Sequence, residues 1–115
     1  YNGLGAQSIF TYDVPGETVA NTGRMTFYPN PFNERINFVL NVDNLSNTKM
    51  TIYNILGKKV REFTISANQG YQKIFWNGKD MLGQDVGTGL YIIQLSAIEK
   101  DGKRLMKTDK ILYLK

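Results

Sequence analysis

The stretch that decides the fold is "WNGKDMLGQDVGTGLY", residues 76–91, in which four glycines and two aspartates lie between a tryptophan and a tyrosine. Such a stretch could bind a phosphate, ligate calcium, or connect two strands. Gly78 and Gly83 have the spacing that begins a phosphate-binding loop, but Gln84 and Asp85 follow where lysine and serine or threonine are required. The next segment also has a strand pattern, so no helix N-terminus is expected to receive an anion.

Calcium binding is also disfavoured in this stretch. Calcium takes six to eight oxygen ligands, with several carboxylates at short alternate spacing. Asp80 and Asp85 are five positions apart, and Lys79 precedes the first of them. We therefore interpret the stretch as a structural connection whose ends, Trp76 and Tyr91, lie in the core. Its glycines are expected to adopt backbone conformations that a Cβ disfavours, and they are Gly78, Gly83, Gly87 and Gly89.

Alternating apolar residues predict strands on both sides of this connection. Ile36, Phe38 and Leu40 alternate with polar or smaller residues, which is the pattern of a strand with one buried face. Turn residues separate the strand segments, and no helical period is sustained. The pattern predicts an all-β, immunoglobulin-like antiparallel β-sandwich of about seven strands. The seven segments span residues 24–28, 34–41, 49–55, 59–65, 71–76, 90–98 and 104–115.

Individual positions within these segments carry further expectations. Residues 111–114, "ILYL", are apolar on both faces, which predicts a final strand covered on both sides. In "YPNPF", residues 28–32, two prolines fix the backbone and indicate a rigid crossing or sheet edge. Gly57 is predicted to have a positive φ in a turn. The other predicted inward side chains are Met25, Phe27, Met50, Ile52, Val60, Ile74, Ile93 and Leu95.

Composition argues against most catalytic chemistry. The 115 residues include no cysteine and no histidine, which excludes thiolate sites, histidine-ligated zinc and the common nucleophile systems. A serine–lysine dyad remains formally possible but has no supporting motif. No spacing brings two carboxylates to one cleft as a hydrolase pair. The candidate carboxylates for that role are Glu34, Glu62, Asp80 and Asp85. We expect no cofactor or metal.

Charge and apolar patterning also limit the expected partners. The net charge is +4, and residues 98–115 hold six cations against three acids, so the excess lies near the C-terminus. This bias is compatible with an acidic partner surface. Most of the 14 aromatic residues share the phase of the aliphatic core positions, so we expect packing and not nucleic-acid binding. No apolar run is long enough for a membrane helix, and no membrane insertion is expected.

The chain divides into two regions by composition. Residues 1–23 are rich in glycine, asparagine and threonine and are interpreted as a linker, or as the tail of a preceding domain. "SIFTYDV", residues 8–14, could be the end of an upstream strand. Residues 24–115 form the predicted domain. Because the chain begins with tyrosine and not methionine, we expect a processed C-terminal piece of a longer protein.

Several spaced motifs carry a family resemblance. They are "FYPNPFNERINFVL", "MTIYNILGKKV", "WNGKDMLGQDVGTGLYIIQL" and the terminal "KILYLK". Residues 24–115 resemble the C-terminal sorting domain of bacterial type IX secretion cargo, in the version related to the immunoglobulin-like domain of the flagellar hook-capping protein. Asn77 stands where aspartate is common in the family, a change that keeps turn-forming ability. The fold-defining residues by this resemblance are Tyr28, Pro29, Asn30, Pro31, Phe32, Gly57, Trp76, Gly78, Gly83, Gly89 and Tyr91.

The resemblance implies a non-catalytic secretion signal for a larger upstream cargo, itself an enzyme such as a protease in some cases. It implies folding in the periplasm of a Gram-negative bacterium, recognition by the outer-membrane translocon, and delivery to the cell surface or the medium. A sortase-type peptidase is expected to cut within residues 16–23, although some family members retain the domain. The residues expected to be recognised are Lys110, Ile111, Leu112, Tyr113, Leu114 and Lys115.

Strand addition is the recognition mode that we expect for the terminal segment, since an exposed edge offers main-chain hydrogen bonds and Lys110 and Lys115 offer charge. The alternative from another class is an accessory immunoglobulin-like spacer or docking module of a surface protein, including a retained domain of a secretion-machinery component. Hydrolytic activity of the fragment itself is a third and weaker alternative.

Overall fold

A computed structural model describes residues 20–21 and 24–115 of the chain, and in this part it contains strands and no helix. The described part thus holds no helix long and apolar enough to cross a membrane. The strands are β1 (Ala20–Asn21), β2 (Met25–Tyr28), β3 (Ile36–Asn41), β4 (Ser46–Asn54), β5 (Lys59–Ile65), β6 (Tyr71–Trp76), β7 (Gly89–Ile98) and β8 (Arg104–Tyr113).

Two antiparallel four-stranded sheets make up the sandwich. The first sheet has the order β1-β2-β3-β6 and the second has the order β5-β4-β7-β8. Strands β2 to β8 correspond to the seven predicted segments, which confirms the predicted immunoglobulin-like β-sandwich. The short β1 pairs with β2 and lies inside the segment 1–23 predicted as a linker or tail. The predicted strand end at residues 8–14 falls outside the described residues.

The core lies between the inner faces of the two sheets. In β3, Ile36, Phe38 and Leu40 are fully buried while the residues between them are partly exposed, as the alternation predicts. Four residues of the second sheet face them, and all of these side chains belong to one continuous apolar cluster. The four are Met50, Ile52, Ile93 and Leu95. Burying each such side chain stabilises the fold by roughly 1.5–3 kcal/mol relative to leaving it exposed.

The final strand departs from its predicted burial. Ile111 and Tyr113 are buried, but Leu112 is only partly buried and the following Leu114 is 44% exposed. The expectation that both faces are covered was therefore wrong. The physical reason is the position of β8 in a two-layer sandwich, where one face of each sheet meets the other sheet and the opposite face meets solvent.

The turns and connections within the family-like motifs lie at one end of the sandwich. We call this the motif end, and it comprises residues 28–35, 54–58, 77–88 and 113–115. The opposite or far end comprises residues 42–45, 66–70 and 99–103. Pairing fixes this arrangement, because Asn54 lies opposite Tyr91 and Gly89 lies opposite Tyr113, while Ile98 lies opposite Arg104 at the far end.

The turn between β4 and β5 is held by Gly57 and by the side chain of Asn54. Gly57 has φ +85°, as predicted, and its amide donates to the carbonyl of Asn54 at 2.9 Å. The side-chain oxygen of Asn54 accepts from the amides of Leu56 and Lys58 at 3.0 and 2.9 Å. An asparagine before the turn thus satisfies two backbone donors that the sheet does not reach.

Candidate functional site

Four aromatic side chains from separate motifs meet at the motif end. Trp76 is fully buried, with the Tyr91 ring 5.3 Å from it edge-on and the Phe32 ring at 5.7 Å. Tyr113 of the final strand stacks on Phe32 at 4.7 Å between ring centroids. Offset and edge-on pairs of this kind each add about 0.5–1.5 kcal/mol beyond the burial of their area. The motifs are therefore distant in sequence but form one packed unit.

Polar atoms of this cluster hold the ends of the long connection 77–88. The indole nitrogen of Trp76 donates to the carbonyl of Lys79 at 2.8 Å, and the hydroxyl of Tyr91 donates to the carbonyl of Gly87 at 2.6 Å. Burial raises the pKa of Tyr91, and the neighbouring Tyr113 raises it further, so Tyr91 stays a neutral donor at physiological pH. The predicted anchoring of the connection by Trp76 and Tyr91 is confirmed.

Gly78 makes room for the final strand. Its φ is +77°, and a Cβ built on it would lie 2.6 Å from the ring of Tyr113. Gly83 and Gly89 also have positive φ, at +82° and +154°. Gly87 does not have a positive φ, and a Cβ built on it would meet no atom within 4 Å. The expectation that the backbone at Gly87 disfavours a Cβ was therefore wrong. Glycine at 78 is thus required both by the backbone and by contact with Tyr113.

The two aspartates of the connection are used in its structure. The carboxylate of Asp80 accepts from the amides of Leu82 and Gln84, both at 2.9 Å. Asp85 accepts from the ammonium of Lys79 at 2.7 Å, and this hydrogen bond lowers the pKa of Asp85. No group of three acidic, histidine or cysteine side chains that could hold a metal ion occurs among residues 24–115. The contacts support the interpretation as a structural connection.

The backbone edge of the final strand is occupied around Leu112 by the "YPNPF" segment. The amide of Phe32 donates to the carbonyl of Leu112 at 3.0 Å, and the amide of Leu114 donates to the carbonyl of Phe32 at 2.8 Å. The amide of Leu112 donates to the side-chain oxygen of Asn30 at 2.9 Å. A partner strand that added along residues 110–115 would meet this cap first, a feature that periodicity alone did not indicate.

The six residues expected to be recognised are divided between the core and the surface. Ile111 and Tyr113 point inward, whereas Lys110, Leu114 and Lys115 are exposed. Leu112 is partly exposed on the outer face of β8. Only the outward set can contact a partner while the domain stays folded.

Sequence reasoning missed a group of exposed apolar side chains around the motif end. Leu56 is 88% exposed at the β4–β5 turn, and Leu82 is 83% exposed in the connection 77–88. Single exposed apolar residues are common, but this concentration at one end is typical of a contact surface. For the four that lie in turns, the signal available in the sequence was leucine, isoleucine and methionine within segments otherwise rich in glycine and polar residues. The set is Ile55, Leu56, Met81, Leu82, Leu90 and Leu114.

Comparison with known proteins identifies relatives of the chain. The family described as "Secretion system C-terminal sorting domain" matches residues 26–108, which contain most of both sheets. No curated protein matches the chain.

Solved structures show the same fold. Dimeric latent PorU from Porphyromonas gingivalis is similar over 78% of this chain and 9% of its own, with a TM-score of 0.65 at 19% identity. PorZ, described as an essential surface component of the type IX secretion system of the same organism, matches 79% of this chain and 11% of its own, with a TM-score of 0.55 at 16% identity. FlgD from Xanthomonas campestris matches 81% of this chain and 65% of its own, with a TM-score of 0.57 at 16% identity. The chain thus spans about a tenth of the length of PorU and of PorZ.

Proposed function

The chain belongs to the family of secretion system C-terminal sorting domains, and from this membership we propose that it directs a larger upstream protein through the outer-membrane translocon of a type IX system. A sorting domain of this family is a non-catalytic secretion signal, and its destination is the cell surface or the medium of a Gram-negative bacterium. Folding in the periplasm before export is part of the proposal, as is an upstream cargo domain that carries the activity of the whole protein.

The observation that supports the proposal is the convergence of the family-like motifs on the final strand. Phe32 bonds to the backbone of this strand, Trp76 packs beside it, and Gly78 leaves room for its Tyr113. Residues far apart in sequence thus fix the position of one terminal segment. A signal read from that segment needs this rigidity, because ordering a loose segment on binding would weaken recognition.

Removal by a sortase-type peptidase after export is the second part of the proposal. The expected cut lies within residues 16–23, and the structure describes only β1 in this range. In the described structure β1 contributes two residue pairs with β2, while the described core begins at Met25. A cut there leaves β2 to β8 intact, which fits a signal that is discarded as a folded piece.

A reporter fusion tests the proposal. Residues 16–115 are placed behind a fluorescent protein with a periplasmic leader, in a bacterium that has a type IX system. Surface delivery that disappears when the translocon is inactivated is the expected result. Retention of the folded fusion in the periplasm would instead favour the accessory spacer or docking module.

A matched pair of variants tests whether the terminal residues are read. Deleting residues 112–115 removes Tyr113 from the core, so loss of export would then be confounded by loss of folding. Leu114→Ser combined with Lys115→Gln changes only exposed side chains and keeps the backbone bonds of both residues. We expect this double variant to fold and to export poorly. Normal export of both variants would contradict recognition through the terminus.

A further inference from the structure

The final strand contributes to a larger apolar surface on the outer face of the second sheet. We propose that this surface, the docking face, binds an acidic protein surface of the translocon through side chains and not through strand addition. The docking face is defined by Tyr53, Leu90, Ile92, Lys110 and Leu112. The inference rests on the proposed function and deepens it, because it names which surface is recognised and by what chemistry.

Strand register places these five side chains together. Tyr53 of β4 lies opposite Ile92 of β7, and Ile92 lies opposite Lys110 of β8. Leu90 lies opposite Leu112 one step nearer the motif end. Directly opposite residues on paired strands point to the same face with Cβ atoms about 4.5–5.5 Å apart. The docking face therefore spans three strands, or about 10 Å.

Burial shows that these side chains face solvent. Their neighbours along the strands, Ile52, Tyr91 and Ile111, are buried in the core, so the alternate positions point outward. Leu90 is 42% exposed, and Tyr53, Ile92 and Leu112 are partly exposed. The exposed Ile55 extends the apolar surface into the adjoining turn. Such a row of aliphatic side chains is unusual on the solvent side of a sandwich.

Charge determines the kind of partner. The positions that share this outer face by register carry four cations and one acid, Lys49, Lys59, Arg104, Lys110 and Glu62. The acid is already bonded to a cation, since Lys59 donates to Glu62 at 2.7 Å. Lys110 lies within the docking face and Lys59 lies opposite Tyr53, while Lys49 and Arg104 lie further along the same outer face toward the far end. An apolar surface on a sheet face with excess positive charge is complementary to an apolar protein surface that carries carboxylates.

The occupied edge of β8 favours reading by side chains. Asn30 and Phe32 already bond to the backbone that faces away from β7 around Leu112. Strand addition at this point would have to displace those bonds, whereas a partner that approaches the docking face needs no rearrangement. Leu112 then acts as a contact residue while Ile111 and Tyr113 only hold it in place.

The test compares matched substitutions on the two outer faces. Ile92 and Val39 are both partly exposed β-branched residues within sheets, each paired with a lysine, Lys110 or Lys73. Ile92→Glu and Val39→Glu are introduced separately into the reporter fusion and into the 115-residue chain. Thermal unfolding of the chain shows whether each variant folds. Binding is measured against purified, detergent-solubilised translocon at low and at high salt.

We expect Ile92→Glu to reduce translocon binding by about tenfold or more and to block surface delivery, while Val39→Glu changes neither. Lys110→Glu should weaken binding at low salt, and Lys73→Glu should not. If Ile92→Glu fails to fold, the comparison of Lys110→Glu with Lys73→Glu tests the docking face instead. Lys110 is exposed, so its replacement leaves the core unchanged.

Three results would overturn the docking face. If the wild-type fusion and Ile92→Glu are both delivered and bind equally, the proposed function stands and the docking face is wrong. If the wild-type fusion is neither delivered nor bound, the proposed function itself fails and the docking face fails with it. If the wild-type chain binds vesicles of anionic phospholipid but not the translocon, and Ile92→Glu abolishes this, the face is a lipid surface and not a protein-docking one.

Discussion

The motif end and the far end of the sandwich connect the same two sheets by different means. At the motif end the connections are held by a cluster of aromatic rings around Trp76, which includes Tyr113 of the final strand. At the far end a side-chain carboxylate holds two connections together, since Asp43 accepts a hydrogen bond from the amide of Gly70 at 2.5 Å. Arg24 supports that carboxylate's loop by donating to the carbonyl of Asp43 at 2.8 Å.

This difference shows which end depends on the C-terminus. The far-end bonds among Arg24, Asp43 and Gly70 involve no residue of β8. Two of the four ring contacts at the motif end involve Tyr113, because it contacts both Phe32 and Trp76. A change in the terminal strand should therefore destabilise the motif end before the far end, and four substitutions test this contrast.

Replacing Trp76 should have the largest effect. Trp76→Ala removes a fully buried ring that contacts Phe32, Tyr91 and Tyr113, and we expect a loss of about 3–5 kcal/mol in the free energy of unfolding. Chemical denaturation of the 115-residue chain measures this. The control is Phe75→Ala, since Phe75 is adjacent but 48% exposed and should cost less than about 1 kcal/mol. Similar losses for both variants would contradict a cluster centred on Trp76.

A pair of glycines compares the two ends directly. Gly78 and Gly102 have similar φ values, +77° and +88°, but only the Cβ of an alanine at 78 would collide with Tyr113. Gly102→Ala should cost about 1 kcal/mol from backbone conformation alone. Gly78→Ala should cost about 2–4 kcal/mol, because crowding of the ring adds to the same conformational term. Equal losses of stability in denaturation curves would show that the Tyr113 contact is not limiting.

Removing the cap on the final strand should have a moderate effect. Asn30→Ala deletes the acceptor of the Leu112 amide and should cost about 1 kcal/mol. Native-state hydrogen exchange should show faster exchange of the Leu112 amide, with the Gly70 amide at the far end unchanged. Asn30→Asp keeps the acceptor oxygen and serves as the control. Unchanged protection of Leu112 in Asn30→Ala would count against the occupied edge and remove one argument for the docking face.

The Lys79–Asp85 ion pair should have the smallest effect, because both side chains are exposed. The hydrogen bond from Lys79 lowers the pKa of Asp85 below its ordinary value of 3.8, so its contribution to stability is present above that pH and is lost as the pH falls through the lowered pKa. Asp85→Asn should therefore change the melting temperature little at neutral pH and slightly flatten its decline in acid. A steeper acid decline than that of wild type would reverse the expected sign.

Much of the fold could be predicted from local pattern. The alternation in β3 gave the correct inward residues because a pleated strand places successive side chains on opposite faces. The same argument failed for Leu112, where an apolar residue was assumed to be covered. Periodicity shows which residues share a face, but not whether another layer packs on that face.

The candidate site was less predictable than the fold. The terminal residues were identified by family resemblance, yet their division into buried Ile111 and Tyr113 and exposed Lys110 depends on the register of β8 against β7. The cap formed by Asn30 could not be predicted, because it joins residues 82 positions apart. Contacts at such separations are set by how the two sheets pack, which no local pattern reports.

Residue types and their spacing were enough to establish the all-β class, the absence of cysteine and histidine chemistry, and the family to which the chain belongs. These follow from residue types, their period and their spacing, which are properties of short segments. Three features could be read only from the folded chain: the motif turns meet at one end, the edge of the final strand is occupied around Leu112, and Leu90, Ile92 and Leu112 share an exposed face. These depend on strand order and register, and packing of the whole core fixes both.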